Sequence, residues 1–501
     1  MIFWTIAVLG VYLLIILTIG FRSGRGAGKS AESFFVANRN LNWMQEAMAV
    51  FTTIASAGAL VGSTGLFYKD GAVMLGFIMA YTFLMPITYW FVGVRLRRLG
   101  RARGYQTQSA FIGDYYQSGF LRWCVSLFGV VFSIPYFLVG PVAMGILLNK
   151  FTGFPYWAGV LAFVIVAMVY TIKGGLRAVA NTDVFHGALL VLFLLAVVFT
   201  LVAHAGGWVS ILDSPKAMVP TSGIGLKQFF AWIPYLGLVT FCWPDRAFRM
   251  FAVKDDANLR KGCVISGAMM TAASVGFLAI GLAANKIVPG IKNTDTSLAS
   301  ALQVAAVWLV PWFVMNAWGS GMSTFTAGML STANIFIKDI FEPWYVRMYK
   351  IPLGEKRDKL IVGAARWFMI FLGATTLVAC FYPPPFIWSL INLTLGLFLQ
   401  FCPMFLYGLM WKGTTRIGVQ ASFVTGVTLH ILWSFFYKPP FGTIAGINAL
   451  FFSTIVFFVV SFLTSDKKED LDEREAMRAI ANGLNDQPGT TASLSNPILA
   501  K

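Results

Sequence analysis

The sequence predicts an all-α membrane protein of about thirteen transmembrane helices. Two observations carry that expectation. Of the 501 residues, 57% are AVILMFWYC and 12% are charged, and mean hydropathy is +0.72; globular chains carry roughly 25% charged residues to cover their surfaces. The apolar residues also come in runs of about 20, the length of a bilayer-crossing helix, and a lipid-buried backbone must satisfy its own hydrogen bonds.

The runs place spans near 2–20, 43–66, 73–96, 121–148, 155–172, 181–204, 228–251, 262–284, 306–336, 360–381, 386–411, 417–437 and 442–464. The first has no basic leading segment and no small-residue cleavage site, and Arg22 and Arg25 follow it. It reads as an anchor helix, not a removable signal.

A net charge of +17 would suit a nucleic-acid-binding domain if it formed a basic face on a polar domain. Here the basic residues cluster in short loops between apolar runs, so no nucleic-acid partner is expected. An odd number of spans puts the termini on opposite sides. Lys69, Lys150, Lys216, Lys227, Lys286, Lys292 and Lys438 fall on one side, and the rest of the 38 basic residues on the other. Short loops rich in Lys and Arg stay cytoplasmic, which places the amino terminus outside and the carboxy terminus inside a bacterial-type cell (inner) membrane. Five scattered cysteines, with no CxxC or Cys/His spacing, support neither a disulfide framework nor a zinc site.

Residues 465–501 are polar and mixed in charge. A short helix near 470–484, with Leu471, Met477, Ile480 and Leu484 towards one side, and then a disordered tail are expected. No stretch has room for an extramembrane enzyme domain or for the signalling domain of a solute sensor. The GRGAGKS segment at 24–30 has Ser23 where a phosphate loop needs its first Gly, and no strand precedes it, so no nucleotide cofactor is expected.

Two spans carry features that break a helix. In the second, Thr52-Thr53-Ile54-Ala55-Ser56-Ala57-Gly58 and on to Gly65 gathers small and hydroxyl residues; in the seventh, Gly237 precedes Phe241-Cys242-Trp243-Pro244-Asp245. Interrupted helices expose carbonyls and helix ends at a midplane site, although small residues also serve close helix packing. The two breaks open matching blocks of five spans, 43–204 and 228–411, the spacing of an inverted repeat. The ninth span holds Gly319-Ser320-Gly321-Met322-Ser323-Thr324, whose adjacent hydroxyls can lean into one cleft. A hard monovalent cation such as Na⁺ suits neutral hydroxyls and freed carbonyls; back-bonding of these hydroxyls to their own helix is the competing reading.

Together these residues resemble the sodium:solute symporter family. The match runs from the FFVANR segment at Phe34–Arg39 to Trp411-Lys412. It passes through Gly113-Asp-Tyr-Tyr116, Gly174-Gly-Leu-Arg-Ala-Val-Ala-Asn-Thr-Asp183, Arg249-x4-Lys254-Asp255, Met322-Ser-Thr324 and Gln400-x2-Pro403. The resemblance implies a LeuT-type core of five plus five helices with one leading and two trailing helices. Its parts are a leading helix and loop (1–42), two repeats (43–204 and 205–411), the trailing pair (412–464) and a cytoplasmic tail (465–501). It also implies a Na⁺ site formed by the carbonyls of Thr52, Ala55 and Ser320 and the hydroxyls of Ser323 and Thr324, with Asp183 on the ion's exit path. Thr182-Asp183 reads equally as a helix N-cap.

The family often has P-H-x-x-Q-R in the second broken helix, where this chain has Pro244-Asp245-Arg246-Ala247-Phe248-Arg249, and Gln where His186 stands. Asp245, Arg246, Arg249 and His186 are candidates for an inner gate; loop-end charges and a packing histidine are the alternatives. Solute contacts are expected at Ser56, Ala57, Gly58, Tyr81, Phe241 and Trp243. No lone basic residue is expected at the midplane. The resulting expectation is a secondary transporter, not an enzyme, with Na⁺ and a small organic solute as partners. Monocarboxylates or similar acids are favoured over neutral amino acids and sugars. A proton-coupled carrier is the nearest rival, with an ion channel further off.

Overall fold

The computed structural model describes residues 2–218, 223–382 and 387–484. Among these residues the chain is helical nearly throughout and forms no strand. The helices used below are α1 (Ile2–Ser23), α2 (Trp43–Ile54), α3 (Thr64–Asp70), α4 (Met85–Arg103), α5 (Tyr156–His204) and α6 (Gly223–Cys242). After these come α7 (Pro244–Ala252), α8 (Asp256–Ile287), α9 (Val310–Ile335), α10 (Ile387–Leu399) and α11 (Lys468–Asn482).

Ten helical stretches are long and apolar enough to cross a membrane, and the protein is multi-pass. Three features separate this number from the thirteen expected spans. Predicted spans 155–172 and 181–204 are two helices that meet at a break at Gly175 and count as one stretch, α5; the second span is split, its first half α2 standing apart; and α9 falls outside the ten. The helix surfaces agree with lipid as solvent. Phe3, Leu14, Leu192, Phe199 and Phe462 are all more than 60% exposed, an outward apolar belt that water would penalise.

Glycine explains two of the sequence motifs. Gly175 interrupts α5 at φ 56°, ψ −155°, a conformation essentially confined to glycine. A Cβ there would lie 2.4 Å from the Phe34 carbonyl oxygen. Beside it, α1 and α5 meet backbone to backbone: a Cβ on Gly24 would sit 2.4 Å from Gly174 Cα. Gly175→Ala is therefore expected to lose at least about 1–3 kcal/mol from backbone strain alone. A sharp fall in monodisperse protein in detergent would show it, and a wild-type melting temperature would contradict it.

The other motifs tie helices together. In the Gly113–Tyr116 segment, the Tyr115 hydroxyl donates to the Gly408 carbonyl and that of Tyr116 to the Met404 carbonyl, both at 2.7 Å. One acceptor lies within the widened turn Pro403–Tyr407, where proline supplies no N–H, and the other just after it. Arg39 donates to the Phe251 carbonyl (3.2 Å) and the Tyr105 carbonyl (3.1 Å). A short bridge joins Leu41 to Val253, with the Leu41 N–H on the Ala252 carbonyl at 3.0 Å and the Lys254 N–H on the Leu41 carbonyl at 2.9 Å. Asp255 caps α8 through the Asn258 N–H (2.7 Å), and Asn258 Oδ1 accepts from the Trp43 N–H (2.9 Å). The chain entering α2 is thus fastened to the chain leaving α7.

The expected tail helix forms as α11, but the side it turns inward differs. Met477 and Arg474 are buried, whereas Leu471 and Leu484 are exposed. Arginines set the docking: Arg474 pairs with Asp466 and donates to the Thr414 carbonyl, Arg478 donates to the Gly408 and Trp411 carbonyls, and Arg103 of α4 pairs with Glu473. The expected disordered tail, 485–501, lies outside the described residues.

Candidate ion and solute site

Both expected breaks are present. The Ala55 N–H still reaches the Phe51 carbonyl at 2.8 Å, but Ala55 (φ −78°, ψ 47°) then leaves the helix. Bonding resumes with the Leu60 N–H on the Ser56 carbonyl at 2.9 Å, and a π-helical turn over Ala59–Ser63 leads into α3. In the second, Trp243 is extended (φ −73°, ψ 132°) between α6 and α7. Proline disfavours helix at the residue before it and suits the first helical position after it, so Pro244 ends one helix and starts the next.

The end of α2 lies against the hydroxyl pair of α9. Thr52 Oγ1 is 2.7 Å from Ser323 Oγ and also donates to the Met48 carbonyl at 2.8 Å. The Thr324 hydroxyl reaches the Thr53 carbonyl at 3.3 Å and the Ser320 carbonyl at 3.2 Å. Tyr136 donates to the same Thr53 carbonyl at 3.3 Å. Ser320 turns its own hydroxyl to the Asn316 carbonyl (2.9 Å). The hydroxyls of Thr52, Ser320 and Thr324 back-bond along their own helices, and those of Thr52, Ser323 and Thr324 also meet across the α2–α9 contact. The carbonyl facing Thr324 belongs to Thr53, one residue past Thr52, and Thr52 reaches α9 through its side chain. The cluster carries no fixed charge of its own, and its converging oxygens are the donor type a hard cation takes.

Asp183 overturns one expectation. It lies inside α5 and does not cap a helix; Thr182 donates back to Val179 at 2.8 Å and Ala178 at 3.1 Å. The N-cap reading fails because the helix after the Gly175 break begins well before Thr182, leaving Asp183 in its interior. Asp183, fully buried, pairs with Arg249 of α7 at 3.1 Å. His186 Nδ1 stands 4.0 Å from Asp183 Oδ1, with its ring beside Tyr12. Asp245 and Arg246 pair at 3.1 Å. All these groups are buried, so Asp245, Arg246 and Arg249 are not loop-end charges. A buried Glu46, bonded to the Tyr89 hydroxyl, also lies in α2; its position near the start of the second span gave no sign of that depth.

A cavity of about 50 Å³ lies between the two breaks. Of the expected solute residues, Ser56, Tyr81 and Trp243 line it. Ala57, Gly58 and Phe241 pack into the surrounding wall: a Cβ at Gly58 would sit 2.7 Å from Ile391, Ala57 faces Gly321, and the Phe241 ring meets Phe405. The expectation of no basic residue at this depth is overturned, because Arg246 lines the cavity. The signal was a charge two residues after the breaking proline, which sets it in the first turn of the half-helix entering the site. A second cavity of about 620 Å³, lined in part by Asp70, Tyr235, Asn392 and His430, adjoins the first: neighbouring residues Tyr235 and Leu236 face different cavities, as do Ile391 and Asn392.

Helices broken over a buried polar centre define a membrane transporter of the secondary type. The chain belongs to the sodium:solute symporter family, whose model matches residues 34–426, a family of Na⁺-coupled carriers. The sodium/proline symporter of Staphylococcus aureus (strain USA300 / TCH1516) is 26% identical over 490 residues, spanning 92% of this chain and 93% of the relative. The one from strain JH9 is similar to the same extent. A Na⁺-coupled sialic acid symporter, solved substrate-bound and outward-open, has a TM-score of 0.79 at 17% identity, covering 93% of this chain and 98% of its own. A nucleobase-cation-symport-1 family transporter, closed with bromovinylhydantoin bound, has a TM-score of 0.53 at 12% identity, covering 90% and 99%. These two likenesses concern the fold.

Proposed function

We propose that this chain couples inward Na⁺ movement to the uptake of a small organic solute, a monocarboxylate or similar organic acid being favoured. The observation that carries the reading is the contact between the unwound end of α2 and the Ser323–Thr324 pair. Na⁺ sits among the oxygens of Thr52, Ala55, Ser320, Ser323 and Thr324 and holds α2 against α9, favouring the state open to the outside. The amino terminus is external, and Asp70 of the larger cavity adjoins Lys69, expected on that same side, so solute enters through that cavity. It binds beside Ser56, Tyr81 and Trp243, with Ala57, Gly58 and Phe241 shaping the walls. Asp183 draws the released ion inward. Asp245, Arg246, Arg249 and His186 close the inner side until one helix bundle rocks against the other. The membrane potential adds about 2.3 kcal/mol per charge per 100 mV.

Uptake into proteoliposomes with imposed gradients tests this. A Na⁺ gradient is expected to drive accumulation and an equal H⁺ gradient is not. Accumulation on the H⁺ gradient alone identifies a proton-coupled carrier, and solute-independent current a channel. The names of the staphylococcal relatives favour proline as a second solute reading, so proline belongs in the same assay.

A further inference from the structure

We infer that Arg246 binds the solute's carboxylate and restricts the small cavity to short monoanions, excluding zwitterions and neutral analogues. This rests on the symport reading and names the solute class of that site. Arg246 is 4% exposed and lines the cavity. Nη1 donates to Asp245 Oδ1 at 3.1 Å, Nη2 lies 3.5 Å from Thr53 Oγ1, and the planar group sits over the Trp243 ring at 5.2 Å. Its Nε–H has no acceptor in the protein, and neither does the buried hydroxyl of Ser274 on the same cavity wall. Buried donors without acceptors are costly, and an arginine stays charged in proteins. A positive group with a spare donor, at the wall of a cavity, calls for an anion, and guanidinium matches a carboxylate in geometry.

The remaining wall sets the rest of the ligand. Among the described residues that line the cavity, Arg246 is the one charged side chain; Phe77, Leu236, Met270, Phe277 and Leu395 supply apolar surface. An ammonium group would find hydroxyls but no carboxylate among those lining residues. A cavity of about 50 Å³ exceeds the roughly 10–15 Å³ that one water needs by only a few times, which selects a chain of a few carbons. Charge also links solute to ion. Asp245 already neutralises Arg246, so an added carboxylate leaves one negative charge uncompensated. Thr53 stands between the two sites, its hydroxyl 3.5 Å from Arg246 and its carbonyl 3.3 Å from the Thr324 hydroxyl. A Na⁺ held beside Thr324 supplies the missing charge, so each ligand raises affinity for the other.

The test is thermal stabilisation of the purified full-length protein, in Na⁺ and in choline. The ligands are acetate, propionate, butyrate, lactate and pyruvate, with propionamide, proline and glucose as controls. At least one monocarboxylate is expected to raise the melting temperature in Na⁺ and much less in choline, while propionamide, proline and glucose do not. Arg246→Gln is expected to weaken that response at least about 30-fold, the loss typical of a truncated buried charge contact. Arg246→Lys keeps a charge and is expected to retain part of the response. The inference is overturned if no monocarboxylate stabilises the wild type, if propionamide or proline equals the best acid, or if Arg246→Gln binds it unchanged. Should both variants fail to fold, the wild-type ligand ranking decides. A wild type indifferent to Na⁺ instead defeats the symport reading, whatever Arg246 does.

Discussion

Replacing Ser323 and Thr324 together by alanine is expected to raise the Na⁺ concentration for half-maximal uptake by about 100-fold or more. Each hydroxyl that contacts a charged partner contributes about 1.5–3 kcal/mol, and about 1.4 kcal/mol is a factor of ten. The fold tolerates the change because the partners left behind keep other bonds. Thr52 loses Ser323 but keeps the Met48 carbonyl at 2.8 Å, and the Thr53 carbonyl keeps the Tyr136 hydroxyl at 3.3 Å. Expression and melting temperature without Na⁺ should therefore stay near wild type. Initial uptake rates across a Na⁺ series give the answer; an unchanged Na⁺ dependence removes the hydroxyl pair from the site.

Asp183→Asn is expected to destabilise the folded protein by about 3–5 kcal/mol, because it strips the counter-ion from a guanidinium buried in the bundle. Arg249 is 1% exposed and Asp183 fully buried, so water cannot replace the lost charge. The pair joins α5 to α7, the inner half of the second broken helix, and its loss loosens the site as well as the fold. Asp183→Asn with Arg249→Met is expected to regain most of the stability, since an apolar substitute leaves no stranded charge, yet not transport. Melting curves of the single and double variants decide this. Equal destabilisation in both would show that the pair does not act as a unit.

These effects involve elements that the sequence disclosed to different degrees. The two breaks were legible because small, hydroxyl and proline residues gather at matching places in two apolar runs, a pairing that close packing or back-bonding of one helix would not produce. Ser323 and Thr324 were legible once the resemblance supplied a partner, and the structure brings Ser323 within 2.7 Å of Thr52. Which carbonyl faces them was not, because one residue of slip leaves the sequence pattern unchanged. Asp183 looked like a cap because hydropathy falls around Lys173 and Arg177, whereas the backbone breaks at Gly175 and is helical again well before Thr182. Arg246 looked like an end-of-span charge, since linear hydropathy cannot tell a span's end from a half-helix that starts at the centre. The tail helix showed its existence but not its facing: leucines suggested one side, and arginines seeking backbone carbonyls at Thr414, Gly408 and Trp411 fixed another.

The most direct test is equilibrium binding of radiolabelled Na⁺ to the purified protein and to the Ser323→Ala, Thr324→Ala variant, with no solute and no gradient. Saturable binding to the wild type that largely disappears in the variant is the predicted result. Wild-type binding that persists undiminished in the variant would contradict a cation held where α2 unwinds against α9.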